Sequence, residues 1–239
     1  MASLFYEIGR RTGRALQKGL LYYRSIFGSE EEAIKAEYFL GNELASHIFE
    51  EFEVVKDEGV NHTLTEIGRR LTGRLKENKR RFRFAVLHDN SVNAFALPGG
   101  FIFCTSGLLN ASRMDADILA FVLAHEIGHV VRGHPFERIL SGTSLQVISK
   151  IQKRTGMMSA VTRRMLERLM QSHYEQAQEF EADSFGLQMM TYAGFKKDGA
   201  ERTMKMLRAQ GDTPAGISRY FASHPPMPER LRNLKTDGV

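Results

Sequence analysis

Apolar residues recur at helical spacing over most of this chain and at strand spacing only in one short stretch. The spacing predicts helices over 3–24, 30–56 and 62–77, followed by a small sheet within 81–105. In that stretch Phe82, Phe84 and Val86 alternate with polar or small residues. Pro98-Gly99-Gly100 then separates two strand-like runs, the second being Phe101-Ile102-Phe103-Cys104-Thr105. Asp115 is placed to cap the next helix. Its apolar positions run from Ile118, Leu119, Phe121 and Val122 through Ile127, Val130 and Val131, and Gly133 ends it. Downstream the pattern predicts one long helix from about Val161 to Met190, another over 197–209, and a short terminal helix from Glu229 to Leu234 opened by Pro228. Gly156, inside Thr155 to Met158, marks a break before the long helix. The expected class is a mostly helical α+β fold, with a small antiparallel-edged sheet packed on the helix after Asp115.

That helix is almost wholly apolar, yet it carries Leu123-Ala124-His125-Glu126-Ile127-Gly128-His129. Positions i and i+4 share a helix face, so His125 and His129 can both offer ring nitrogens to one metal ion. Glu126, one residue round, reaches a water on that ion. Two imidazoles and a carboxylate are costly to bury in an apolar helix unless something binds them. The HExxH pattern therefore points to a zinc hydrolase, which needs a third protein ligand and an open position.

Two residues are candidates for the third ligand. Cys104, the only cysteine, sits in a strand-like run where a small buried hydrophobe is the plainer reading. Glu179, in Glu179-Phe180-Glu181-Ala182-Asp183, is the stronger one. Glu179 and Asp183 share a helix face while Glu181 points elsewhere, so one carboxylate can bind the metal and the other can fix the tautomer of a metal-bound histidine.

HExxH followed fifty residues later (179 minus 129) by ExxAD resembles the gluzincin metallopeptidases of the HtpX and CAAX prenyl protease type. Within these the chain is most similar to compact members related to the mitochondrial Oma-type and bacterial periplasmic assembly-type peptidases. Asn93-Ala94-Phe95-Ala96-Leu97-Pro98-Gly99-Gly100 and Ser223-His224-Pro225-Pro226 carry the resemblance further, over roughly 60–235. It implies a zincin fold holding one zinc ion per chain on His125, His129 and Glu179. It also implies Glu126 as general base, Asp183 orienting His125, a substrate-binding edge at Asn93, Ala94 and Phe95, and an auxiliary active-site His224. His224 would steady the oxyanion or, in a resting form, occupy the open metal position. An extended peptide can add itself to such an edge as one more strand. In such a site the metal lowers the pKa of its water from about 15.7 toward about 7, and Glu126 takes the proton. The function expected is a zinc-dependent endopeptidase acting on extended or unfolded segments, possibly in protein quality control. The alternative is a latent or non-proteolytic zinc-bound, chaperone-like binding protein.

With 239 residues and 42% hydrophobic content the chain can bury a sizeable core. Residues 1–58 read as an N-terminal helical extension and 59–239 as the catalytic domain. A single cysteine leaves no intramolecular disulfide. No transmembrane span of about 20 residues and no secretion signal is legible, so a soluble or peripherally membrane-associated chain is expected. At the N-terminus Leu4, Phe5, Ile8, Leu16 and Leu20 gather opposite Arg10, Arg11, Arg14 and Lys18. Such a basic amphipathic helix can lie on an anionic membrane, although packing on the protein's own body or on a second subunit is the plainer reading. The formal net charge of +5 and the basic stretch from Arg69 to Arg83 have no nucleic-acid-binding motif beside them, and no nucleic-acid partner is expected.

Overall fold

The computed structural model describes residues 28–75, 79–141, 160–171, 173–211, 224 and 230. The expected N-terminal amphipathic helix, the break at Thr155 to Met158 and the terminal helix on either side of Arg230 lie outside these residues. In chain order the elements are α1 (Glu30–Glu51), α2 (Glu58–Thr72), β1 (Arg83–Leu87), β2 (Ala94–Leu97) and a short turn of 3₁₀ helix (Pro98–Gly100). Then come β3 (Phe101–Thr105), α3 (Ser106–Ser112), α4 (Ala116–Arg132), α5 (His134–Leu140), α6 (Ala160–Gln171), α7 (Gln176–Tyr192) and α8 (Asp198–Gly211).

The three strands form one sheet in the order β1-β3-β2. β2 and β3 are the two antiparallel runs expected on either side of Pro98-Gly99-Gly100, with Leu97 opposite Phe101 and Ala94 opposite Cys104. Their turn needs glycine, because Gly99 and Gly100 have φ of 76° and 96°. β1 pairs with β3 in parallel, Arg83 opposite Phe101 through Leu87 opposite Thr105. The sheet is therefore mixed, with the antiparallel strand β2 at one edge.

Both faces of the sheet are covered. Val86, Ala94, Ala96, Ile102 and Cys104 pack with α2, α4 and α7, whereas Leu87, Phe95, Leu97, Phe101 and Phe103 pack with α1, α5 and α6. This is the period-two alternation of a strand with each face given its own apolar layer. α1 sits directly on the turn after β2: a Cβ at Gly41 would lie 1.8 Å from the carbonyl oxygen of Pro98.

Local chemistry sets the helix ends. α1 stops at Glu51, short of the expected residue 56, because Phe52 is extended and Val54 bridges to Leu87. α2 starts earlier than residue 62, since Asp57 accepts from the amide of Val60 at 2.9 Å. The helix expected to run unbroken from Val161 to Met190 is two, α6 and α7. A capping box at Glu175 and Gln178 starts the second of them.

α4 runs as expected from Asp115 to Gly133 and is buried over most of its length. Asp115 Oδ1 accepts from the amides of Asp117 (3.0 Å) and Ile118 (3.2 Å), and Arg202 of α8 pairs with both Asp115 and Asp117. Gly133, at φ 78°, closes the helix in the left-handed conformation. Asp115→Ala is expected to lower stability by about 1–2 kcal/mol through the lost cap, read as a lower urea midpoint at unchanged slope. Among the described residues no helix is long and apolar enough to cross a membrane.

Candidate metal centre

One turn of α4 presents His125 and His129 side by side, with their Nε2 atoms 3.0 Å apart. α7 crosses this turn closely because small residues line the crossing. A Cβ on Gly128 would lie 3.4 Å from the Cα of Ala182, and one on Gly186 would lie 3.0 Å from the amide nitrogen of His125. That approach brings Glu179 to the histidines. Its Oε1 is 3.4 Å from His129 Nε2 and its Oε2 is 3.8 Å from His125 Nε2. His224 closes the group from the C-terminal part of the chain, with Nδ1 3.3 Å from His125 Nε2 and 2.7 Å from Glu179 Oε1.

Donor atoms of His125, His129, Glu179 and His224 thus lie within 4.8 Å of one another, and this group could hold a metal ion. All four side chains are at most 1% exposed. So many lone pairs converging in a dry site are unfavourable unless a cation sits among them. Burial pulls the pKa of His129 well below the ordinary imidazole range, which keeps the ring neutral and its lone pair available. Burial alone would raise the acid of Glu179, but His224, His129 and Arg230 outweigh it and hold the carboxyl far below the usual range. Such a carboxylate remains charged.

Glu126 is buried beside the group, and among the described residues neither of its oxygens accepts a hydrogen bond. The approach of His224 Nε2, at 3.4 Å from Oε1, is too long to satisfy it. Burial, reinforced by Glu179, pushes the Glu126 carboxyl up to about 7, where it can both take and release a proton near neutrality.

Around these residues lies a second set of contacts. Asp183, four residues after Glu179 on α7, places Oδ1 2.9 Å from His125 Nδ1. Arg230 donates to both oxygens of Asp183, Nε to Oδ2 and Nη2 to Oδ1, each at 2.7 Å, and its Nη1 lies 2.6 Å from Glu179 Oε2. This arginine is 1% exposed. Sequence reasoning missed it, because an arginine shortly after a proline and a glutamate reads as solvated; two carboxylates expected to be buried on one helix face were the available hint that a cation was needed. Tyr174 was missed as well. Its ring stacks on His129 at 3.8 Å between centroids and 16° between planes, and Arg138 lies 3.9 Å from the far side of Tyr174. Glu181 does point elsewhere, as expected, to His134 Nε2 at 3.7 Å.

Cys104 is buried in β3, burial drives its thiol well above the ordinary range, and it does not join the converging donors. Asn93, Ala94 and Phe95 enter β2, and all three are buried. The amide of Thr105 donates to the carbonyl of Asn93 at 3.0 Å. In an antiparallel ladder this parity turns the backbone groups of Phe95 and Leu97 toward β3, and those of Ala94 and Ala96 toward the outer edge. No further strand pairs with that edge among the described residues.

The model of Peptidase family M48 matches residues 59–237. The putative beta-barrel assembly-enhancing protease of Vibrio cholerae is 28% identical over 187 residues, covering 73% of this chain and 37% of that protein. The mitochondrial metalloendopeptidase OMA1 of Arabidopsis thaliana is 30% identical over 154 residues, 64% of this chain and 31% of its own. Metalloprotease YcaL of Escherichia coli is 26% identical over 238 residues, 95% of this chain and 88% of its own. This chain therefore spans about a third of the length of the first two and most of the third.

Proposed function

Since this chain belongs to Peptidase family M48, we propose that it is a zinc-dependent endopeptidase cutting extended or unfolded protein segments. The observation that carries this reading is the convergence of His125 Nε2, His129 Nε2 and Glu179 beside a buried carboxylate, Glu126, that accepts no hydrogen bond among the described residues. Neutral imidazoles with one carboxylate are the donor set of catalytic zinc. His125, His129 and Glu179 would hold the ion, which when bound would supply Lewis acidity toward water and the scissile carbonyl. Asp183 Oδ1, 2.9 Å from His125 Nδ1, favours the tautomer with the proton on Nδ1, so that Nε2 keeps its lone pair for the site. Glu126 takes the proton of the attacking water and passes it to the leaving amine.

The outer edge of β2 is the proposed substrate site, with the backbone groups of Ala94 and Ala96 pairing with an extended peptide. Recognition through main-chain hydrogen bonds is tolerant of sequence and suits unfolded segments, hence a role in protein quality control. Cleavage of casein or a quenched peptide library is expected to stop on chelation and to return with zinc. His129→Ala is expected to lose both bound zinc and cleavage. Zinc bound at one ion per chain with no cleavage of any peptide would contradict an active enzyme.

A second reading rests on His224. With Nδ1 2.7 Å from Glu179 Oε1 and 3.3 Å from His125 Nε2, this ring offers a fourth donor that could close the site. In that reading the described conformation is latent, and His224→Ala raises cleavage without loss of zinc. Zinc binding with no cleavage even in His224→Ala favours a non-proteolytic, chaperone-like role.

A further inference from the structure

His125 and His129 both turn Nε2 inward, which leaves each Nδ1 facing the protein. The Nδ1 of His125 meets a carboxylate, Asp183. The Nδ1 of His129 instead meets a third imidazole, His134 Nδ1, at 2.9 Å, and His134 Nε2 in turn lies 3.7 Å from Glu181 Oε2 on α7. A break in the helix makes this meeting possible. On an uninterrupted helix residues five apart sit about 140° round from one another and cannot touch. Gly133 ends α4 in the left-handed conformation and α5 begins at His134, so the corner folds this ring back onto the last turn of α4.

The geometry allows one assignment of protons when His129 serves the metal. Nε2 then keeps its lone pair, the proton sits on Nδ1 and is donated to His134 Nδ1, and the proton of His134 sits on Nε2 and faces Glu181. We propose that His134, backed by Glu181, is a positioning residue that fixes the ring and tautomer of His129 as Asp183 does for His125. Neither His134 nor Glu181 is a ligand, and neither touches substrate. His134 is 4% exposed, while Glu181 reaches the surface.

This inference rests on the reading of His129 as a zinc ligand, and the experiment separates the two. Zinc affinity is measured by competition with a chromogenic chelator for the wild type, His134→Phe, His134→Gln and Glu181→Gln, with metal-free thermal melting alongside. Phenylalanine fills the space but accepts nothing at the Nδ1 position, so its Kd is expected to rise about 10–100-fold. The amide oxygen of glutamine can accept from His129, so His134→Gln is expected to stay within a few-fold of the wild type. Glu181→Gln, one step removed from the ligand, should fall between them while melting like the wild type without metal. Equal affinity of His134→Phe and the wild type, or His134→Gln no tighter than His134→Phe, would overturn the positioning role while leaving the metal centre intact. A wild-type chain that takes up no zinc would sink the metal reading itself and this inference with it.

Discussion

Glu126→Gln is expected to leave one zinc ion per chain and to lower kcat/KM by about 10²–10⁴-fold, the usual contribution of a positioned general base. The substitution nearly preserves shape, and Glu126 is not among the converging donors, so the metal has no reason to leave. The proton acceptor alone is lost. Burial without a hydrogen bond, with Glu179 close by, raises the Glu126 carboxyl to about 7, so the wild-type group exchanges a proton easily where the amide cannot. The same burial makes the neutral amide easy to accommodate, and the melting temperature is expected to hold or rise. Peptidase turnover with zinc-loaded Glu126→Gln at the wild-type rate would remove Glu126 from its role.

Arg230→Met is expected to cost about 3–5 kcal/mol in the metal-free chain, the range for breaking a buried ion pair by removing one partner. The guanidinium binds both oxygens of Asp183 and reaches Glu179, so its loss strands two carboxylates in a dry site. Urea unfolding measures the loss, and Asp183→Asn in the same chain should recover part of it by removing one stranded charge. The sign with pH follows from Asp183. Burial pulls its acid upward, yet Arg230 and His125 outweigh burial and hold the folded carboxyl below the ordinary 3.8. A depressed value contributes stability that is present above 3.8 and lost as pH falls through the folded value. The difference between wild type and Arg230→Met should accordingly be greatest near neutrality and shrink in acid. A difference under about 1 kcal/mol at neutral pH would mean that solvent already reaches the pair.

The central helix and the gathering of its polar residues on one face were legible in the sequence because several local rules agreed there. Asp115 supplied an N-cap and Gly133 a stop, and the apolar run between them made three polar residues conspicuous. Glu179 and Asp183 were legible for the same reason, as carboxylates four apart on one face. Where the reading fell short, contacts distant in sequence decide the outcome. The pause between α6 and α7 holds Tyr174 against His129 and Arg138, and helical periodicity on both sides of it hid the break. The contact of His134 with His129 depends on Gly133 turning the chain between two helices, a corner that helical spacing alone does not reveal. Arg230 carries no periodic signal at all, and its burial follows from two carboxylates on another helix. The parallel pairing of β1 with β3 was equally invisible, since strand order depends on the crossover rather than on strand composition.

The proposed function requires one zinc ion held jointly by His125, His129 and Glu179. Anomalous diffraction at the zinc edge from crystals of the zinc-loaded chain locates that ion. One peak is predicted about 2.0–2.2 Å from His125 Nε2, His129 Nε2 and an oxygen of Glu179. A map with no peak between the two histidines, or with Glu179 turned away from it, would overturn the proposed zinc centre.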